Sequence, residues 1–149
     1  MEITPPRRGY YYLACPHSHP SAEVRHLRYE AAVRCQAKLV SAGMSIFNPI
    51  VMSHEVDIHA REIGQEITHD MWLRFDYPFL FQSRGIFVLS LTGWEKSNGI
   101  AWELNVAAEL SLPIIHIPGD EYMKHWPREV LTSHFGCDIV NTENNERTE

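Results

Sequence analysis

Gly85-Ile-Phe-Val-Leu-Ser-Leu91 is the stretch that decides the fold. It is apolar on both faces, which is typical of a central strand in a parallel sheet. A polar loop at residues 92–97 and a predicted helix at residues 98–110 follow it. Ligands of open α/β sheets bind where the strands end, so we expect this loop to carry function.

The segments on either side continue the alternation of strands and helices. Further strands are predicted at residues 9–14, 44–48 and 113–117. Further helices are predicted at residues 22–42, 66–81 and 121–133. The pattern predicts an α/β three-layer sandwich, Rossmann- or flavodoxin-like, with a four- to five-stranded, mostly parallel sheet.

Three details of this prediction are specific enough to be checked against a structure. Pro78 is expected to kink or shorten the helix that contains it. Residues 51–64 show no clean period and are predicted as a long loop, alone or with a short helix. Residues 135–140 are expected to add an edge strand.

Composition favours one domain over residues 1–149, with residues 141–149 as a loose tail. The net charge of −6 argues against nucleic-acid binding, which needs clustered lysine and arginine, but still allows a small anionic ligand. No stretch approaches the ~18 apolar residues that span a bilayer, and residues 1–8 lack the apolar core of a secretory signal. The sequence thus predicts no membrane partner.

The cysteines indicate the redox state of the compartment, and the histidines are the residues to examine for a metal site. The three cysteines, Cys15, Cys35 and Cys137, form no CxxC pair, which favours a reducing, cytoplasmic location. Two histidine pairs invite a metal hypothesis, but neither has a recognised ligand spacing. We therefore predict no metal site at these histidines. The pairs are His17/His19 and His54/His59.

The loop and helix after the central strand contain the most informative candidates. Ser97 stands where a helix N-cap is expected, and Asn98 and Gly99 follow with backbone donors suited to a phosphate. Glu103 lies in the next turn, on a helix that is otherwise apolar around it. Spacing alone also allows an ordinary exposed glutamate at this position.

Asp76 is the second acidic candidate. It lies among large apolar side chains in Trp72-Leu-Arg-Phe-Asp76-Tyr-Pro-Phe. If it faces inward, burial would raise its pKa and suit a proton donor. The alternative is a solvated helix face shared with Arg74.

The end of the first strand supplies a third group. Tyr12 precedes Cys15-Pro-His-Ser-His19, where His17 and Ser18 are candidate donors to an anion, and Arg25 or Arg28 could reach the same ligand. Alternatively, the tyrosine fills the core and the histidines cap the following helix.

These residues resemble the nucleoside 2-deoxyribosyltransferase superfamily, and within it a branch of bacterial and phage proteins. The resemblance rests on Tyr12-Leu-Ala-Cys-Pro16, on Asp76 ahead of a hydrophobic strand, and on Ser97-x-Gly-x-x-x-Glu-Leu104. Serine at the start of the last motif resembles the 2'-deoxynucleoside 5'-monophosphate N-glycosidases, in which this serine helps hold the phosphate. The transferases carry aspartate there, which binds the sugar hydroxyls.

The resemblance implies a role for each matching position. Glu103 would be the nucleophile at C1' of a deoxyribose, Asp76 the carboxyl that contacts the base, and Tyr12 the residue that orients the nucleophile. Ser97 and Gly99 would form the phosphate or sugar loop. An aromatic side chain would stack on the base, the candidates being Trp72, Phe75, Phe79 and Trp94. The implied reaction requires no metal and no organic cofactor.

The resemblance also implies a substrate class and an oligomeric state, and it allows one alternative function. It implies a nucleoside or nucleotide substrate and a homodimer or higher oligomer, with residues 66–81 as the candidate interface. Arg84 and Asn105 stand where many members have aspartate and glycine. A non-catalytic nucleotide-binding or sensing module is therefore the alternative function.

Overall fold

The computed structural model describes residues 9–136. Its strands are β1 (Tyr11–Ala14), β2 (Ile46–Phe47), β3 (Ile86–Ser90) and β4 (Ile114–Pro118). Its helices are α1 (Ala22–Ser41), α2 (Pro49–Glu62), α3 (His69–Phe81), α4 (Asn98–Glu109), α5 (Asp120–Met123) and α6 (Arg128–Phe135). A short 3-10 turn at Trp94–Lys96 leads into α4.

The four strands form one parallel sheet in the order β2-β1-β3-β4. This arrangement confirms the predicted α/β class. Chain connections from β1 and from β3 leave in opposite directions along the sheet, so the point between these two strands is the topological switch point at which such folds bind ligands. Within residues 9–136, no helix has the length and apolar character needed to cross a membrane.

Alternation along the strands separates the core into two layers, one on each face of the sheet. Tyr12 and Ala14 pack with α3 and α4 on one face. Leu13 and Cys15 pack with α1 and the last helices on the other. The residues of β3 are divided in the same way and are buried on both faces, as the sequence predicted for a central strand.

The predicted long loop at residues 51–64 is wrong, because α2 occupies most of that range. Asn48 caps the helix, its Oδ1 accepting from the backbone N–H groups of Ile50 and Val51 at 3.1 and 3.4 Å. Pro49 follows at the first turn, where proline suits a helix. The apolar period is missing because the inward face of α2 is largely polar.

The predicted helix at residues 121–133 is two short helices, α5 and α6, separated by Pro127. Proline lacks the N–H that a continuous helix would need at this point. Phe135 belongs to α6, and residues 137–140 of the expected edge strand lie outside the described range. Pro78 does not end α3, which continues to Phe81.

Two cysteines, Cys15 and Cys35, are free and buried in the sheet's α1 side. Cys137 and the predicted tail at residues 141–149 lie outside the described range.

Candidate active site

A cavity of about 640 Å³ opens at the carboxyl ends of β1 and β3, at the switch point of the sheet. The loop after β1 and the start of α4 form two of its walls, and α2 and α3 form the others. Seven of the nine predicted site residues line it: His17, Ser18, Asp76, Ser97, Asn98, Gly99 and Glu103. Residues distant along the chain therefore meet in one place.

Glu103 lies on the buried face of α4 rather than in solvent. Ile100, Val106 and Ala107 share that face, because residues three and four apart lie on the same side of a helix. The side chain is only 7% exposed, and its Oε2 has no hydrogen-bond partner among the described residues. A buried carboxyl oxygen without a partner is costly, which makes Glu103 a candidate for contact with a ligand in the cavity.

Tyr12 lies behind Glu103 and outside the cavity lining. Its hydroxyl donates to Glu103 Oε1 at 3.2 Å, which joins β1 to α4 across 91 residues of sequence. Burial, followed by the nearby carboxyl groups, raises the pKa of Tyr12 well above its usual value. The phenol therefore keeps its proton and serves Glu103 as a donor.

Asp76 reaches the cavity from α3, where Leu80 shares its buried face. It is 7% exposed, its Oδ1 has no hydrogen-bond partner among the described residues, and burial raises its pKa to about 7. Burial and the charge of Asp76 raise the pKa of Glu103 well above its usual value, whereas the hydrogen bond from Tyr12 lowers it. Two carboxyls are thus coupled in one cavity with their pKa values raised, a pattern typical of acid–base sites.

The start of α4 forms the polar end of the cavity. Ser97 is the N-cap, as predicted, and its Oγ accepts from the Ile100 backbone N–H at 3.3 Å. Asn98 and Gly99 stand in the first turn, and Lys96 lines the same wall. A helix N-terminus with an adjacent lysine is suited to an anionic group.

One face of α2 forms a wall that sequence reasoning missed. Its cavity-lining residues recur at helical spacing: Ile50, Ser53, His54, Asp57, Ile58 and Arg61. Asp57 accepts from Arg61 at 2.9 Å, an i,i+4 pair that also stabilises the helix. The spacing was available in the sequence, but polar residues on the inward face hid it from a search for apolar periods.

His17 and Arg25 lie on the side of the cavity nearest α1. Burial, together with the positive charges of His54, Arg25 and Arg28, lowers the pKa of His17 to about 4, against an opposing effect of Asp57. His17 is therefore neutral at physiological pH. Arg25 contributes a positive charge to this side of the cavity, in a chain whose net charge is −6.

Trp94 is the predicted substrate contact that the structure places elsewhere. Its ring lies 5.1 Å from the ring of His116, and it packs on the core beside α4 rather than among the residues that line the cavity. Among the aromatic candidates, Trp72 of α3 lines the cavity instead. Trp72 is thus the better placed ring for stacking against a flat ligand.

Comparison with curated proteins gives no match to the chain. A family model does match residues 9–117, from β1 through most of β4, and so includes both carboxyls and the loop at Ser97. Since that range covers well over half of the 149 residues, the chain belongs to the family described as a domain of unknown function, DUF1937.

Proposed function

We propose that the protein cleaves the N-glycosidic bond of a 2'-deoxynucleoside or its 5'-monophosphate, passing the sugar either to water or to a second base. The observation that carries the proposal is the meeting of Asp76 and Glu103 at one cavity, each with a buried carboxyl oxygen that lacks a partner. Glycosidic chemistry uses such a pair, one carboxyl as nucleophile and the other as proton donor. The resemblance of the Ser97 to Leu104 motif to the deoxyribosyltransferase superfamily supports the same assignment.

In the proposed reaction, Glu103 attacks C1' as the bond from C1' to the base breaks. Asp76, protonated near neutral pH because its pKa is about 7, gives its proton to the departing base. Water then attacks C1' as the bond from C1' to Glu103 breaks, and Asp76, now ionised, takes the proton of that water; in the transfer reaction a second base attacks C1' in place of water. Burial disfavours the ionised form of Glu103 that its attack on C1' requires, whereas the Tyr12 hydroxyl and the positive charge that develops on the sugar favour it.

A 5'-phosphate fits the charges around the cavity. Lys96 and the N-terminus of α4 would face it from one wall, and Arg25 lies on another. An uncharged nucleoside would leave these cations unused. We therefore propose the monophosphate as the better substrate of the two.

The proposal is tested by incubating the protein with the four deoxynucleosides and their 5'-monophosphates and separating the products by chromatography. We expect free base from at least one monophosphate. Calorimetric binding of these nucleotides without any free base would instead support a non-catalytic sensing module.

Tyr12→Phe is expected to lower kcat for base release about 10- to 100-fold at pH 7, because it removes a hydrogen bond worth roughly 1–3 kcal/mol to a buried carboxyl. Without this donor the pKa of Glu103 rises further, so the acid limb of the kcat profile should move to higher pH. Steady-state kinetics from pH 5 to pH 9 measure both effects. Tyr11→Phe, on the opposite face of β1, is the matched control and should leave the profile unchanged.

Ser97→Asp is expected to separate phosphate binding from helix capping. Aspartate caps as well as serine, so the melting temperature should stay close to that of wild type. The added negative charge would repel a 5'-phosphate, and KM for monophosphates should rise at least tenfold relative to KM for nucleosides. Equal changes in both KM values would place the phosphate away from α4.

Self-association is the remaining part of the proposal. Helix α3 exposes four large apolar side chains, Met71, Phe75, Tyr77 and Phe81. Such a patch on one helix is typical of a protein interface. We propose that two copies of the chain associate through this face, next to the α3 wall of the cavity.

A further inference from the structure

Arg28 is a buried cation that the proposed chemistry does not use. It lies on α1, is 4% exposed, and sends its guanidinium toward backbone carbonyl oxygens. Nη1 donates to Ser18 O at 2.9 Å and to His17 O at 3.5 Å, and Nη2 donates to Thr92 O at 3.5 Å. One side chain therefore contacts two loops that are far apart along the chain.

Both loops lead directly into the walls of the cavity. The first follows β1 and contributes Cys15, His17 and Ser18 to the lining. The second follows β3 and continues through Lys96 to the N-cap Ser97. The guanidinium thus fixes the spacing between the two walls without lining the cavity itself.

The loop after β3 lies close to the Arg28 guanidinium at Gly93. A Cβ on Gly93 would stand 3.2 Å from Arg28 Nη2 and 3.0 Å from the ring of Phe135. Gly93 also has φ +83°, a conformation that favours glycine. Phe135 covers the guanidinium from α6, with its ring centre 5.4 Å from Arg28 Cζ.

A purely structural role explains this arrangement poorly. Burial of an arginine is costly, and within residues 9–136 its hydrogen bonds go to carbonyl oxygens rather than to a carboxylate, while Nε has no partner. Burial accordingly lowers its pKa. An apolar side chain would fill the same space at lower cost but could not hold two loops by their carbonyls.

We propose that Arg28 is a positioning residue that holds the loops at residues 17–18 and 92–93 at the distance needed to bind substrate. Its effect on kinetics rests on the proposed function, whereas its effect on the loops does not. Glu103 and Tyr12 lie on α4 and β1, away from these contacts, so substrate binding should suffer more than the chemical step.

Arg28→Lys keeps the positive charge but removes the pair of nitrogens, Nη1 and Nη2, that donate to both loops. We expect this variant to raise KM about tenfold while kcat stays within about twofold of wild type. Arg34→Lys, on an exposed part of the same helix, is the matched control and should change neither constant. Gly93→Ala disturbs the same contact from the other loop and should raise KM in the same way. A fall in kcat at constant KM, or no change in KM, would overturn the proposal.

Hydrogen–deuterium exchange tests the loops without any turnover. In Arg28→Lys, amides at residues 17–19 and 92–97 should exchange at least tenfold faster, while those of β3 and α4 keep their protection. Faster exchange throughout the chain, or unchanged exchange in the loops, would refute the positioning role. If wild type releases no base but the loops respond as expected, the proposed function fails and the positioning role of Arg28 stands.

Discussion

Glu103→Gln is expected to lower kcat for base release about 10⁴-fold or more, the usual size of the effect when a nucleophile is removed. Glutamine has the same shape and still accepts from the Tyr12 hydroxyl, so the cavity should be preserved. It cannot attack C1', and it carries no charge to stabilise an oxocarbenium-like transition state. Single-turnover measurements with the best monophosphate measure the loss, and calorimetry should show that nucleotide binding survives.

Glu109→Gln is the matched control for this variant. Glu109 lies on the same helix but is exposed, away from the cavity, and its substitution should leave kcat unchanged. If Glu103→Gln retains wild-type kcat, the nucleophile assignment is wrong even though the fold stands. If Glu103→Gln loses activity and its melting temperature also falls sharply, residue 103 stabilises the core and the loss of activity does not identify a nucleophile.

Asp76→Asn is expected to make the protein more stable than wild type at pH 8 and about equally stable near pH 4. Burial raises the pKa of Asp76 from 3.8 in its ordinary state to about 7 in the fold. Between these values the folded carboxyl holds a proton that the unfolded one has lost, so stability is fully present below pH 4 and is lost as the pH rises to about 7. Asparagine resembles the protonated form and does not incur this loss.

The expected loss of unfolding free energy follows from the difference between the two pKa values of Asp76, 3.8 and about 7. From pH 5 to pH 8, wild type should lose roughly 2–3 kcal/mol of unfolding free energy relative to Asp76→Asn. Urea denaturation at several pH values measures the difference. Asp70→Asn, exposed on the same helix and paired with Arg74, is the control and should run parallel to wild type. Parallel curves for Asp76→Asn as well would mean that residue 76 is solvated.

The two predictions are linked because the carboxyls share one cavity. The charge of Asp76 is one cause of the raised pKa of Glu103, so replacing Asp76 should make Glu103 easier to ionise. If Asp76 acts only through this charge, Asp76→Asn would retain base release and shift its acid limb to lower pH. If it donates the proton, as proposed, kcat should fall, most of all for bases that leave poorly without protonation.

Part of the candidate site could be predicted from residues that are neighbours in the sequence. Ser97 was recognised as an N-cap because capping depends on residues only three apart. The helix α2 was missed because its inward face lines a cavity, so polar residues such as Asp57 and Arg61 stand where apolar ones would mark a core. Trp94 was a reasonable aromatic candidate, but only packing shows that its ring lies against His116.

The sequence by itself determined the order of strands and helices, the central strand β3, and the capped start of α4, since each depends on neighbouring residues and the periods of helix and strand. Tertiary structure alone decided that Glu103 points inward, that Tyr12 donates to it, and that Asp76 reaches the same cavity. Both faces of a helix are equally available to a glutamate in a sequence. Which face is buried depends on the sheet against which the helix packs, and that sheet is assembled from strands far apart along the chain.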